Sequence, residues 1–473
     1  MKINRDRYLD KVRACWVGKN IGGTMGMPYE ANTEMQDIHG FNSPKGEPLP
    51  NDDLDLQLIW LCAIEERGIR NITPQILGEY WLNYITPPWS EYGVCKANMR
   101  LGMQPPYAGE YKNEIMRNSN GAWIRTELWA CLFPGFPELA VKFAYRDACV
   151  DHGMGEGTYA AMFVAAMESA AFFENNFRKL VDIGLSYIPE KSRTAKSVRL
   201  AVELYDKGTD FKDARNAVVA ETADLGWFQA PANVSFVILG FLYGEGDYKK
   251  SMIHAINCGD DTDCTGATIG SLMGIMYGSK SVPEDWAEYI GDRIISMAVD
   301  LSYNPRPATL TDLTKRVYEL APSCLKAYEI YAEYTDGETE RDELPKYPRM
   351  PDFDIPETGL SFDFPDMGYA KGRVEFDKCS VKPGDEIKLK FVFKNTIPDP
   401  NPINIELILP EGWTADREKF NMYLRQMFHY KIDEDEVTVT AGENVEGINK
   451  IYIKISAIAR PTEMTIPLII MGK

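Results

Sequence analysis

The spacing of apolar residues divides the chain in two. Up to about Tyr334 they recur at helical intervals: Leu54, Leu58, Leu61 and Cys62 share one stripe, and Met162, Ala165, Ala166 and Ser169 follow the same spacing in a small-residue-rich run. Strand-like alternation is hard to find there. Farther on the period switches to two. Ile387, Leu389, Phe391 and Phe393 alternate with Lys388, Lys390 and Val392, and Ile403, Ile405 and Leu407 alternate with Asn404 and Glu406. Ile451, Ile453 and Ile455 repeat the pattern, and Thr465, Pro467 and Ile469 fit a last strand. Lys382-Pro383-Gly384-Asp385 and Pro410-Glu411-Gly412-Trp413 read as turns between such runs. Where the two periodicities meet, a polar stretch from Thr335 to Asp342 leads into Pro345, Pro348 and Pro351, the composition of a linker. The expected architecture is multi-domain: an all-α domain over 1–345 and an all-β, immunoglobulin-like sandwich over 346–473.

Composition narrows the function classes. With 473 residues, two domains are the natural expectation. A net charge of −19 argues against a nucleic-acid surface, which needs clustered Lys and Arg. It leaves room for a small anionic ligand held by dipoles or bound cations. No apolar run is long enough to span a bilayer, and Met1 to Arg7 lead into a charged amphipathic segment unlike a signal peptide, so no membrane partner is expected. The nine cysteines are scattered without a Cys-x-x-Cys pair, which reads as a free-thiol, cytoplasmic protein.

Three segments hold the candidate chemistry. In Gly18 to Glu30, glycines at 18, 22 and 26 form a strip on one helical face, suited to close helix packing or to ligand contact. Glu30 emerges just after Pro28, where the helix must stop. Asn51-Asp52-Asp53-Leu54-Asp55 opens another helix, and by itself such a cluster is also what capping asks for. The third is Asp260-Asp261-Thr262-Asp263-Cys264, followed by Gly266, Gly270, Gly274 and Gly278. Capping explains one or two of these carboxylates but not their density. Crowded carboxylates repel unless a cation neutralises them or one is protonated, and oxygen-rich clusters suit hard cations.

In this order the segments resemble the signatures of the ADP-ribosylglycohydrolase family: Gly-x-Pro-x-Glu, Thr-Asp-Asp-Thr, and Gly-Gly-Asp-Thr-Asp-Thr before a Gly/Ala-rich helix. Between them, Ser119-Asn120-Gly121-Ala122-Trp123-Ile124-Arg125 is similar to the family's Gly-Asn-Gly-Ala-x-Met-Arg, and Asp151-His152-Gly153 to its Thr-His-Gly segment. The resemblance spans about Tyr8 to Gly278. It implies hydrolysis of a glycosidic bond at a ribosyl anomeric carbon, on a small-molecule or protein-linked ribosyl substrate. It implies a metal site of Asn51, Asp52, Asp53, Asp261, Asp263 and Cys264 holding Mg²⁺, as one or two ions, with Ca²⁺ or Mn²⁺ as alternatives. Glu30, Asp53 and Asp261 would be catalytic, and Asn120, Gly121, Ala122 and His152 would line the substrate side.

Four positions depart from the family pattern: Asn51 and Leu54 stand where it has Thr, Asp260 where it has Gly, and Cys264 at a metal-binding Thr. A Cys sulfur is a poor partner for Mg²⁺; a small buried residue at a helix start is the other reading of Cys264. These changes leave open a hydrolase of another glycoside or nucleoside-like substrate, or a non-catalytic ligand-binding protein on the same scaffold. Nine Tyr and Trp residues from Tyr80 to Trp129, broken by Pro87-Pro88 and Pro105-Pro106, are expected to wall the pocket or to pack beneath a long loop. His39, His254 and His429 show no metal-ligand spacing.

Overall fold

The computed structural model describes residues 1–303, 305–337, 355–425, 432–458 and 460–473. They form two compact units. One comprises Met1–Gly93 and the described part of Asn113–Arg349; the other comprises Val94–Lys112 and the described part of Met350–Lys473. Most of the expected linker, the 345/346 boundary and His429 lie outside the described residues.

The first unit is a helical assembly. Its site is built by α1 (Arg5–Gly26), α2 (Asp52–Arg67), α3 (Ser90–Arg100), α4 (Pro137–His152), α5 (Glu156–Ala170), α6 (Ala230–Tyr243), α7 (Tyr248–Asn257) and α8 (Thr262–Tyr277). Local chemistry fixes the starts. Asn4 accepts the Arg7 N–H at 2.7 Å to cap α1, and Asp247 accepts the Lys250 N–H at 2.9 Å to cap α7. A short parallel pair, β1 (Lys2–Asn4) with β2 (Glu333–Thr335), sits Ile3 beside Tyr334, so the unit is not wholly helical.

The glycine strip is a packing device. A Cβ at Gly22 would lie 2.0 Å from the Gly266 carbonyl oxygen, and one at Gly18 would lie 2.2 Å from that of Gly270. Thus α1 and α8 touch backbone to backbone, which carries the acidic start of α8 to the end of α1. Both helices are buried nearly all round. Because each clash partner of Gly22 is main chain, no rotamer change relieves it. Gly22→Ala is therefore expected to cost about 3 kcal/mol, the upper part of the overpacking range, measured by urea unfolding. A wild-type midpoint would contradict the contact.

The second unit has two five-stranded sheets, ordered β3-β4-β6-β10-β8 and β5-β12-β11-β7-β9. The strands are β3 (Ser361–Asp363), β4 (Ala370–Phe376), β5 (Ser380–Val381), β6 (Glu386–Asn395), β7 (Asn401–Ile408), β8 (Thr414–Ala415), β9 (Lys419–Leu424), β10 (Asp433–Thr440), β11 (Ile448–Ala457) and β12 (Glu463–Gly472). Inward residues of both sheets, among them Leu389, Phe391, Ile405, Val437, Ile453 and Leu468, share one core. Both turn signals hold a glycine at positive φ, Gly384 at +82° and Gly412 at +79°. On β12 Ile466, Leu468, Ile469 and Ile470 are buried, while Thr465 is exposed and Pro467 half-buried. Tyr107, from the segment Val94–Lys112, packs edge-on against Phe376 at 5.0 Å and donates to the Ile469 carbonyl at 3.2 Å.

Candidate active site

Three chain turns deliver the carboxylates. At the start of α2, Asn51 caps the helix, its Oδ1 accepting the Asp53 N–H at 2.7 Å. Asp52 and Asp53 follow in the first turn. Asp55 faces elsewhere: its Oδ2 accepts the Met297 and Ala298 N–H groups, both at 2.7 Å. At the start of α8, Asp261 holds the N-cap position but makes no capping bond with its side chain, and Asp263 lies in the first turn. Past α1 a single 3₁₀ turn, Met27–Tyr29 with its Pro28, presents Glu30.

These groups converge. Carboxylate oxygens of Glu30, Asp261 and Asp263 lie within 4.8 Å of one another, as do ligand atoms of Asp53, Asp263 and Cys264. Asp53 Oδ2, Asp261 Oδ1 and Asp263 Oδ1 are buried without a hydrogen bond. Leaving such oxygens unpaired is costly unless a cation meets them, so the donor set fits a hard divalent ion. Burial and then the neighbouring charges raise the carboxyl pKa values: Asp52 to about 7, with Asp263 the leading neighbour, and Glu30 to about 8, with Asp263 and Asp52. Glu30 as a whole residue is exposed; the crowding concerns its carboxyl end. For Asp261, burial is again the largest cause and Asp263 the next.

A supporting layer fixes the cluster. Lys19, buried in α1, places its Nζ 2.7 Å from Glu127 Oε1 and 3.8 Å from Asp53 Oδ2. Burial alone would lower this ammonium's pKa, but Glu127 and Asp53 outweigh it and hold it charged. Asn120 is tied at both ends, donating to Asp261 Oδ2 at 2.7 Å and accepting the Trp123 indole N–H at 3.0 Å. Arg125 is wholly buried; it binds Asp147 at 2.9 Å and Asp151 at 2.7 Å and donates to the Gly121 carbonyl.

The cluster opens into a cavity of about 680 Å³. Glu30, Asn51, Asp52, Gly121, Asp261, Asp263 and Cys264 line it, whereas Asp53, Asn120, Ala122 and His152 lie behind the wall. His152 is buried, its Nδ1 3.0 Å from Asp151 Oδ1 and its Nε2 3.0 Å from Ser119 Oγ and 3.8 Å from Glu91 Oε1. Ser119, His152 and Asp151 thus share the contacts of a nucleophile relay, but Ser119 is also off the cavity wall.

Residues 4–321 match the profile of the ADP-ribosylglycohydrolase family, well over half of the chain. The chain belongs to the ADP-ribosylglycohydrolase family. Membership supports a glycohydrolase-type function. Among solved structures, one titled "ADP-ribosylglycohydrolase-related protein complex" is 19% identical, covers 68% of this chain and 99% of its own, and has a TM-score of 0.44. The GAE domain of GGA2p from Saccharomyces cerevisiae is 16% identical over 23% of this chain and 96% of its own, with a TM-score of 0.16. The yeast GGA1 GAE domain is 12% identical over 24% of this chain and 96% of its own, also with a TM-score of 0.16. No curated protein matches the sequence.

The departures from the ADP-ribosylglycohydrolase pattern have local explanations. Cys264 donates its thiol to Asp53 Oδ1 at 3.3 Å, and burial with the surrounding carboxylates pushes the thiol pKa up. Leu54 is buried and brings no oxygen to the cluster. Asp260, in place of Gly, adopts φ +67°, the left-handed region that favours glycine. Its side chain offsets that preference by accepting the Phe228 N–H at 2.8 Å and an Asn233 amide N–H at 3.3 Å.

Sequence reasoning missed four contributors. Glu91 is buried at the cavity wall with Oε2 unbonded; an acid directly after Trp89-Ser90 at a helix start was the available signal. Trp227 and Phe228 also line the cavity, and the signal was an aromatic pair after Gly226. Lys19 is a charged residue inside the glycine strip. Of the nine aromatics from Tyr80 to Trp129, Trp89 and Tyr92 reach the cavity, whereas Trp81, Tyr107, Trp123 and Trp129 are core.

Proposed function

We propose that this protein hydrolyses a glycosidic bond at a ribosyl anomeric carbon with a divalent cation, Mg²⁺ first, held by its carboxylate cluster. The observation that carries the reading is the convergence of Glu30, Asp261 and Asp263 within 4.8 Å, with unbonded oxygens, at the edge of a cavity. Asp52, Asp53, Asp261 and Asp263 would hold the ion, with Asn51 and Cys264 beside them. A bound cation supplies Lewis acidity that fixes and polarises oxygen ligands. Glu30 takes the proton of the attacking water as the water oxygen bonds to the anomeric carbon. The bond to the aglycone breaks with its electron pair, and the leaving group takes a proton from solvent. Asp261, oriented by Asn120, offers negative charge to the oxocarbenium-like transition state. Gly121, without a side chain, leaves room for the Glu91 carboxylate at the cavity wall: a Cβ there would lie 2.4 Å from Glu91 Oε1.

The test is release of free ribose from ribosyl compounds by the Mg²⁺-supplemented protein, with Mn²⁺ and Ca²⁺ compared. Glu30→Gln is expected to lower kcat by about 10²- to 10⁴-fold, the usual worth of a general base, with KM changed only a few-fold. A wild-type rate in that variant, or no release from any ribosyl compound, would refute the reading.

A further inference from the structure

We infer that the substrate of this site carries a flat aromatic aglycone and no phosphate, as a nucleoside-type or aryl glycoside does and an ADP-ribosyl group does not. This rests on the hydrolase reading for the sugar end of the cavity and concerns what fills the rest.

The first argument is charge. Glu30, Asp52, Glu91, Asp261 and Asp263 line the cavity, and among the described residues no Lys, Arg or His side chain does. A phosphate is recognised by such cations or by free N–H groups at a helix start. The helix starts at this cavity already carry negative charge. Each of α2, α3 and α8 carries its own carboxylate in the first turn, Asp52, Glu91 and Asp263 respectively. Just before α6 the Phe228 N–H goes to Asp260, and the helix then has Pro231, which has no N–H. Cations at the aspartates would offset charge there. Glu91 faces His152, 3.8 Å away and behind the wall. The free carboxylate oxygens instead suit hydroxyl donors, the chemistry of a neutral sugar.

The second argument is the apolar wall. Trp89 and Trp227 line the same cavity and stay 43% and 55% exposed, unusual for side chains whose burial is so favourable. Both are held by constrained backbone. Trp227 lies between Gly226 at φ +86° and Phe228 at φ +66°, and Phe228 is bonded to Asp260, itself at φ +67°. Trp89 follows Pro87-Pro88 and precedes Ser90 at φ +35°. Non-glycine residues rarely adopt positive φ unless the surroundings impose it. Fixed, exposed indoles with Met116, Ile115 and Met297 on the same wall make a stacking surface for a planar group.

The experiment is calorimetric titration of the full chain with Mg²⁺, using adenosine, p-nitrophenyl β-D-ribofuranoside and ADP-ribose, with turnover scored separately. At least one phosphate-free probe is expected to bind about tenfold or more tightly than ADP-ribose. Preference for adenosine assigns an N-glycoside; preference for the nitrophenyl compound assigns an aryl O-glycoside. Trp227→Ala, at an exposed position, is expected to weaken that probe about tenfold, and Trp227→Phe to restore part of the loss. Tightest binding of ADP-ribose, binding of no phosphate-free probe, or an unchanged affinity in Trp227→Ala would overturn the inference. Preferential binding without cleavage would instead sink the hydrolase reading and leave the ligand class standing.

Discussion

Asp261→Asn is expected to lower kcat on ribosyl substrates by on the order of 10³-fold, the several kcal/mol that cation-assisted charge stabilisation supplies. The substitution is nearly isosteric, so the loss is electrostatic. Asp261 Oδ2 accepts from the Asn120 amide at 2.7 Å, and Oδ1 faces the cluster unbonded. An Asn at 261 must turn its own NH₂ either toward Asn120, donor against donor, or toward Asp263 and Glu30, where it occupies the place of a cation. Stability moves the other way. Burial first, and then Asp263, Glu30 and Asp53, push the Asp261 pKa up, so removing its ionisable carboxyl relieves both desolvation and repulsion in the metal-free protein. The unfolding midpoint of Asp261→Asn in a chelator is therefore expected at or above wild type. Lost activity together with a lowered midpoint would show a folding defect in place of a missing catalytic group.

Lys19→Met is expected to cost about 3–5 kcal/mol, because it strands buried carboxylates without their counter-charge. The side chains of Lys19, Glu127 and Asp53 are 1%, 0% and 0% exposed, so solvent screens none of them. Methionine keeps most of the volume, which makes packing loss a minor term. Gln57, which donates to Glu127 Oε2 at 2.8 Å, cannot replace a full charge. Denaturant unfolding of Lys19→Met, Glu127→Gln and the pair measures the coupling. The double variant is expected to recover part of the loss, and strictly additive effects would deny that the two charges interact.

Much of this was legible in the chain, for physical reasons that differ by element. The period-two runs survive as strands because one face of each is buried, which is what alternation encodes. The four-residue glycine repeat gave the closest helix pair, since backbone contact leaves no room for a side chain. The acid segments were readable because neighbouring carboxylates at two helix starts exceed what capping uses; Asn51 caps, whereas Asp261 does not. Contacts without a periodic signature were not readable. Tyr107 joins the unit of Phe376 across a long stretch of sequence, through ring packing that no local pattern announces. Glu91 and Trp227 reach one cavity from separate turns. Asn120 and His152 are signature residues, yet they lie behind the wall, Asn120 bonded to Asp261 and His152 3.8 Å from Glu91, and sequence order alone does not distinguish such places from the cavity lining.

The most direct measurement is calorimetric titration of Mg²⁺ into chelator-treated protein, with Asp261→Asn as the comparison. Saturable binding of one or two ions by wild type, lost or weakened at least tenfold in the variant, is the result that a cation held by Asp52, Asp53, Asp261 and Asp263 requires. Wild-type protein that takes up no Mg²⁺, Mn²⁺ or Ca²⁺, or a variant that binds as tightly as wild type, would contradict it.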